Sequence, residues 1–373
     1  MPISIQTYAE PLVPAVRAFN ERIAASDGAF PFPESPIPGW LAPNSTDHSL
    51  DASVYQEMFA ATDETGAVRG GYVLKHQLFT VAGDIRSIGF YRSPVSEGIA
   101  DRRYATVGAM LLRDALRRQP LLFALGLGDR EGPLPRMLQA MRWNIAEVPF
   151  YFRIERGRTF RELRAVRTST LRRAVFDVAA LTGAGAIASR FLHRPIPHLP
   201  AGWTIVGSLP PAAEADALFQ SVAPAFSFCA VRTRAVLDRL YETPSPCRQG
   251  LSVFDNHGAL AGWAIVLSTP MHDDKYFGNL RVGSIIDVLA RNGAEWSVIA
   301  AATAYLHDSR ADLIISNQSH RRWRDALQHC GFRQGPSNFL FAASPGLWTM
   351  LGGEAALDRV HLLRADGDGP IHL

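Results

Sequence analysis

Residues Tyr55–Phe79 read YQEMFAATDETGAVRGGYVLKHQLF, and residues Gly250–Ser268 read GLSVFDNHGALAGWAIVLS. In both, alternating, β-branched and aromatic residues flank a short polar cluster, Asp63-Glu64-Thr65-Gly66 in the first and Asp255-Asn256-His257-Gly258 in the second. This pattern predicts a β-hairpin, because Asp, Asn and Gly adopt turn geometry that strand residues resist. The two hairpins are offset by about 190 residues, far more than a solenoid repeat and suited to duplicated domains.

Outward from the hairpins, the repetition continues in the same order. An apolar run follows each, IRSIGFY (85–91) and VGSIIDVLA (282–290). An amphipathic helix comes next, with its stripe at Gly108, Leu111, Leu112, Ala115 and Leu116 in one copy and at Val298, Ala301, Ala302, Tyr305 and Leu306 in the other. This i, i+3, i+4, i+7, i+8 spacing is the helical period. A short strand (LLFAL, DLIIS), a helix (PLPRMLQAM, HRRWRDALQHC) and a closing strand (VPFYFRI, NFLFA) complete each copy. The fold class expected is α/β (α+β), a mixed central sheet flanked by helices, used twice. The domains expected are 1–157 and 201–350, with a helical and proline-rich connector at 158–200 ending in RPIPHLP, and a fraying tail at 351–373 that runs through ADGDGP.

Composition narrows the function. The 373 residues are 47% hydrophobic, enough for two cores, and the balance of 38 basic to 35 acidic residues gives +3, which favours neither nucleic acid nor an anionic membrane as partner. Only Lys75 and Lys275 are lysines, a skew that fits coding bias and carries no functional weight. The uncharged apolar stretches near Val178–Ser189 and Ala259–Met271 are shorter than the roughly 18–20 residues of a membrane span. The N-terminus lacks a secretory pattern, so the expected location is cytoplasmic. Cys229, Cys247 and Cys330 form neither an even set nor a CxxC pair, so no disulfide framework and no metal site are expected.

The chemistry is expected after IRSIGFY, where SPVSEGIADRRYATVGAMLLRDAL (93–116) sets Arg102, Arg103 and Gly108 at the entrance of a helix. Such an entrance has unpaired backbone N–H groups and the positive end of the helix dipole, which together suit a pyrophosphate.

RYATVG (103–108) resembles the acyl-CoA loop of the GNAT N-acetyltransferase superfamily, whose pattern is Arg or Gln, two residues, Gly, one residue, Gly or Ala. The element order resembles that fold in both halves, so the likeness to a tandem GNAT protein covers most of the chain. More narrowly, PVSEGI, PLLFALGLGDREGPLPRML and VPFYF resemble bacterial acetyltransferases found with surface-polysaccharide biosynthesis genes. The likeness implies direct acyl transfer from acetyl-CoA or another acyl-CoA to an amine, on a small molecule or linked to a sugar. It places the donor at Phe90, Tyr91, Arg102, Arg103, Tyr104, Ala105, Thr106, Val107, Gly108 and Ala109.

The chain departs from the pattern in three places. Thr106 replaces the first glycine, the span from Pro94 to Arg103 is long, and Leu138 stands where many members carry a tyrosine acid. A thiol leaving group, with a pKa of about 8.5, needs little protonation, so the missing tyrosine does not forbid the reaction. An alkylammonium acceptor must lose a proton at a pKa of about 10. Glu97 is the first candidate base and Asp129 the second, with His48 and His76 as outsiders. The bland alternatives are a salt bridge for Glu97 and a turn cap for Asp129.

The second copy reads ARNGAEWSVIAAA at the matching entrance, with Arg291 alone and Glu295 where phosphate would sit. Like-charge repulsion predicts that this domain is degenerate in donor binding; donor binding in the second domain is the competing assignment. GAGAIA (183–188) lacks the βαβ context of a dinucleotide site, and SHRRWRDALQH suits a solvated helix face. Other functions weighed are a Fem-type aminoacyl-tRNA-dependent or carrier-protein-dependent transferase and a non-catalytic duplicated scaffold that binds acyl-CoA.

Overall fold

The structure, a computed structural model, describes residues 2–24, 30–34, 54–157, 159 and 195–367. The expected connector falls almost wholly outside these residues, as do GAGAIA and His48. The chain divides into two compact units, Met1–Ala146 with Leu340–Glu354, and Glu147–Phe339 with Ala355–Leu373.

The first unit holds β1 (Ile3–Thr7), α1 (Val13–Ile23), β2 (Tyr55–Asp63), β3 (Val68–Val81), β4 (Asp84–Ser96), α2 (Val107–Arg118), β5 (Leu122–Leu125), α3 (Pro133–Ala140) and β6 (Asn144–Glu147). The second holds β7 (Phe150–Ile154), β8 (Thr204–Val206), α4 (Ala212–Val222), β9 (Phe228–Ala230), α5 (Arg234–Leu240), β10 (Arg248–Phe254), β11 (Leu260–Pro270), β12 (Arg281–Ala290), α6 (Glu295–Asp308), β13 (Leu313–Asn317), α7 (Arg321–His329) and β14 (Arg333–Gly335). The chain then gives β15 (Leu340–Ala343) and α8 (Pro345–Met350) to the first unit and β16 (Val360–His361) to the second.

Both expected hairpins form, β2–β3 and β10–β11, with Gly66 at φ +80° and Gly258 at φ +76° in their turns. The main strand orders are β1-β2-β3-β4-β5-β15-β6 and β8-β10-β11-β12-β13-β7-β14, the same arrangement twice. In each, one pair is parallel, β4–β5 and β12–β13, with a helix crossing between them. Tyr72, Leu74, Tyr91, Leu111 and Leu112 form the core on the α2 side of the first sheet, and Val16, Phe19, Val73 and Val95 the core on its α1 side. In the second unit, Val266, Ile285, Val288, Val298 and Ala302 pack between sheet and α6.

The closing strands differ from the expected domain division. VPFYFRI was expected to complete 1–157, yet β7 pairs with β13 (Leu313↔Ile154 through Asn317↔Phe150) in the second unit, while β15 pairs with β5 (Phe341↔Leu125) in the first. A proline lies at each crossing, Pro149 and Pro336. A tight reversal from β6 into β7 would need positive φ at Val148, and the residue before a proline is driven to extended backbone instead. Gly335-Pro336 occupies the corresponding point after β14. The two links pair with each other, Val148 N–H donating to Phe339 O at 2.9 Å and Ser337 Oγ donating to Val148 O at 2.6 Å.

The expected fraying of the tail is corrected as far as Asp366. Val360, His361, Leu362, Leu363, Ala365 and Asp366 are buried, β16 pairs with β9, and Gln318 bridges to Leu363. Among the described residues no helix is long and apolar enough to cross a membrane.

Candidate functional site

In the first unit, β4 and β5 pair only at Gly89↔Leu122 and Phe90↔Phe123, after which β4 runs on to Ser96 and β5 stops at Leu125. The strands therefore part at Tyr91. Just beyond, Gly71 pairs with Val95 and Val73 with Arg92, so Ser93 and Pro94 bulge opposite Tyr72 and Ser93 takes φ +46°. A bulge leaves backbone groups outside the ladder and redirects the strand. The sequence signal was Pro94, which cannot donate to a ladder.

Two 3₁₀ turns, Glu97–Ile99 and Arg102–Tyr104, then lead into α2. Ser96 Oγ accepts the Gly98 N–H at 3.2 Å, and Asp101 Oδ1 accepts the Arg103 N–H at 2.9 Å. Thr106 makes no side-chain cap at α2, whose first helical bond runs from Met110 N–H to Thr106 O. The first-turn amides of α2, those of Thr106 to Ala109, thus have no partner from the helix itself. A Cβ on Gly108 would lie 3.2 Å from Met137 Sδ and 3.8 Å from Ser96 Cβ, so glycine keeps backbone bare in a narrow gap.

The ten expected donor residues fall into two layers. Arg102, Arg103, Ala105 and Thr106 are exposed, Gly108 and Ala109 half-buried. Phe90, Tyr91, Tyr104 and Val107 are buried and serve as packing behind that surface. Phe90 stacks on Phe123 across the parallel pair at 5.1 Å, and Tyr91 sits against Tyr72 at 5.3 Å. Burial pushes the Tyr91 hydroxyl well above its ordinary range. Arg103 is fastened to Asp101 Oδ2 by Nε at 2.8 Å and Nη2 at 2.6 Å.

Glu97 and Asp129 have contrasting surroundings. Glu97 is 4% exposed and accepts from Arg22 Nε at 3.0 Å, Arg22 Nη2 at 3.1 Å and Arg69 Nη1 at 2.9 and 3.0 Å. Asp129 is exposed, and its Oδ1 accepts the Glu131 N–H at 3.0 Å in the turn before α3. His76 is paired elsewhere, its Nε2 2.9 Å from Glu57 Oε2 and its ring stacked on Tyr55. The hydrogen bond from His76 holds the Glu57 carboxyl below the usual range.

The second unit repeats the geometry and fills it. β12 and β13 pair from Val282↔Leu313 to Ile285↔Ser316 and then part, with Ile286 bulged between Ile265↔Asp287 and Val266↔Ile285. At the α6 entrance Glu295 Oε2 accepts the Gly293 N–H at 2.7 Å, and Arg291 Nη2 is taken by Asp255 Oδ2 at 2.6 Å. The tail lies against both parted strands: His361 Nε2 is 3.1 Å from Val288 O on β12, and Ser319, just past β13, exchanges backbone and hydroxyl bonds with Leu362.

The tail is clamped by Arg232, 1% exposed. Its Nε donates to Asp287 Oδ1 and Oδ2 at 3.1 and 2.9 Å, and its Nη2 to Asp366 Oδ1 at 2.6 Å; Tyr241 Oη donates to Asp287 Oδ2 at 2.8 Å. Burial raises the Asp287 carboxyl against the pull of Arg232. Beside this cluster, His320 and His361 are 5% and 2% exposed, and burial lowers both imidazoles to about 3. The expected solvated face of α7 is present at Arg321 and Arg322, but its Trp323 is buried and stacks on His361. Among the described residues no three His, Cys, Asp or Glu side chains converge as a metal site.

No protein-family model and no curated protein match the sequence. Solved structures do match over nearly the whole chain. Saccharomyces cerevisiae N-myristoyltransferase with bound myristoyl-CoA is similar with a TM-score of 0.55 at 12% identity, covering 92% of this chain and 84% of its own. A GCN5-related glucosamine N-acetyltransferase region of a fungal multi-domain β-N-acetylglucosaminidase gives 0.52 at 15%, over 91% of this chain and 38% of that one. A conserved Enterococcus faecalis protein described as a probable N-acyltransferase gives 0.50 at 9%, over 92% and 72%. At such identities the likeness is one of fold, and the fold is GNAT-like, with two mixed αβ sheets.

Proposed function

We propose that this chain is an N-acyltransferase that binds an acyl-CoA at the α2 entrance of the first unit and passes the acyl group to an amine. The observation that carries the reading is the difference between the two helix entrances. Neither helix has a side-chain cap at its N-cap residue, but the first entrance has exposed Arg102 and Arg103 and keeps Gly108 bare. The second has Glu295 turned onto Gly293 and the tail against its parted strands. An anionic donor fits the first and is repelled by the second, which sets the stoichiometry at one donor per chain.

The reaction is attack of a neutral amine on the thioester carbonyl, with the thiolate leaving and taking up a proton. The parted strands at Tyr91 and the bulge at Ser93-Pro94 supply backbone groups outside the ladder for the amides of the pantetheine arm and for the developing oxyanion. The acceptor's proton goes to Asp129 or to solvent, since all four acceptor positions of Glu97 are taken by guanidinium N–H groups. Acetyl-CoA as donor and an amino sugar or sugar precursor as acceptor, in a cytoplasmic setting, are the finer form of the reading; the glucosamine N-acetyltransferase likeness supports the acceptor class.

Calorimetric titration of acetyl-CoA and desulfo-CoA tests it. Micromolar binding of one equivalent, lost in Arg103→Ala/Gly108→Asp, is expected. Absence of binding to the unaltered chain overturns the CoA reading, and two equivalents overturn the stoichiometry.

A further inference from the structure

We infer that Glu97 is a positioning residue of the donor loop, the centre of an ion-pair brace that fixes the two turns leading into α2. The inference rests on the reading that the α2 entrance holds the donor, but its geometry stands independently. Two arginines from separate pieces of chain converge on one buried carboxylate. Arg22 comes from α1 and also donates from Nη2 to Val68 O at 2.6 Å. Arg69 comes from the start of β3, and its Nε donates to Asp63 Oδ2 at 2.8 Å. Glu97 itself opens the turn that follows β4.

Asp63 in turn organises the hairpin: its Oδ1 accepts from Thr65 N at 2.9 Å, Thr65 Oγ1 at 2.6 Å and Ala67 N at 3.2 Å. The brace therefore runs from hairpin turn to α1 with two positive and two negative groups, and its centre is Glu97.

The link to the donor loop is direct. The Arg69 guanidinium lies 4.4 Å from the centre of the Tyr104 ring, and Tyr104 is the last residue of the second 3₁₀ turn. Behind Tyr104, Gly98 lets the two turns touch: a Cβ there would fall 2.8 Å from Tyr104 O and 2.9 Å from Ala105 Cα. Tyr104 is thus held through its ring by a guanidinium that Glu97 orients, and through its backbone by the residue after Glu97. Two residues further on begin the amides of α2 that have no partner within the helix. A shift of about 1 Å in such a support can cost as much as a hundredfold in binding or rate.

A buried carboxylate that faces two guanidiniums has no acceptor position left for a substrate proton, so this role differs from that of a base and predicts a different signature. In Glu97→Gln, the donor Kd and KM rise roughly tenfold to a hundredfold while the acidic limb of the kcat profile keeps its position. Arg69→Met, which leaves the carboxylate in place, gives the same rise, and the double variant is no worse than the poorer single one because both cut one brace. Backbone hydrogen exchange without ligand reads the brace directly: residues 98–106 exchange faster in both variants, while 111–117 in α2 keep their protection, which shows that the unit is folded. Loss of the acidic limb with unchanged donor affinity in Glu97→Gln makes Glu97 the base and overturns the inference. Unchanged exchange at 98–106 overturns it too. If the unaltered chain binds no acyl-CoA, the functional reading fails, and the exchange data alone decide the brace.

Discussion

Neither α2 nor α6 has a side-chain cap at its N-cap residue, but Arg102 and Arg103 stand exposed just ahead of α2, whereas just ahead of α6 Glu295 reaches back to Gly293 and brings its negative charge to the helix start. The strands beside them part in the same way, yet the tail lies against those of the second unit and is fastened there by Arg232 and Ser319. On the proposed reading, the same fold offers one entrance to an anionic donor and stabilises the other internally. The strand order recurs because sheet pairing is made by the backbone, while the two helix entrances differ in a few side chains.

The largest effect expected from breaking this contrast is Arg232→Ala. It would leave Asp287 and Asp366, 0% and 1% exposed, facing each other without their cation. Removing one partner of a buried ion pair costs about 3–5 kcal/mol, so the denaturation midpoint of the second unit should fall sharply. Arg69→Ala, with a side chain 15% exposed, leaves Glu97 with Arg22 and Asp63 with its hydrogen bonds from Thr65 and Ala67, so it should lower that of the first by less. Equal losses would mean that the tail is not locked more firmly than the donor loop.

Acid should separate the units next. His320 and His361 are held neutral at about 3 in the folded chain, against about 6.5 when unfolded. Between those values the unfolded state binds more protons, so their stability contribution is present above pH ~6.5 and is lost as pH falls, by up to ~1.4 kcal/mol per pH unit for each histidine. The hydrogen bond from Thr65 holds Asp63 in the first unit at about 2, with Arg69 adding to it; its contribution is lost only as pH falls from ~4 towards 2. Hydrogen exchange between pH 6.5 and 4.5 should therefore show the second unit loosening first, and His361→Phe should flatten that slope. Loss of both units together would break the comparison.

Much of this contrast was written locally. The hairpins were legible because alternation and turn residues are short-range signals, and Glu295 stood out because charge at a helix entrance is read directly from sequence. The strand exchange was not legible by pattern, since VPFYFRI and NFLFA are both short apolar runs that fit either sheet. Pro149 and Pro336 marked the places where the chain fails to turn. The tail was misread because ADGDGP has the composition of a solvated end, while Asp366 is buried against Arg232, 134 positions earlier. The salt bridge weighed as the bland alternative for Glu97 is present, though its partners Arg22 and Arg69 lie far upstream in sequence.

Glu295→Gln sharpens the comparison with a smaller effect. It removes the charge at the second entrance but leaves the tail between the strands, so acyl-CoA titration should still give one equivalent. A second equivalent would show that Glu295 alone closed that entrance.

The smallest effect is expected at Asp101→Asn. Asp101 and Arg103 form an exposed pair, and the hydrogen bonds from Arg103 lower the Asp101 carboxyl. An exposed pair adds little to stability, so the denaturation midpoint should stay where it is. Asparagine keeps an oxygen for the Arg103 N–H and preserves the turn, but it frees the guanidinium and removes a negative charge beside the α2 entrance. Donor affinity should therefore rise by about two- to fivefold at low salt, and the gain should fade near 1 M salt, where screening acts over only about 3 Å. Weaker binding would mean that Asp101 holds Arg103 in its donor-ready position. The pair would then be part of the open entrance, as Asp255 and Arg291 are part of the closed one.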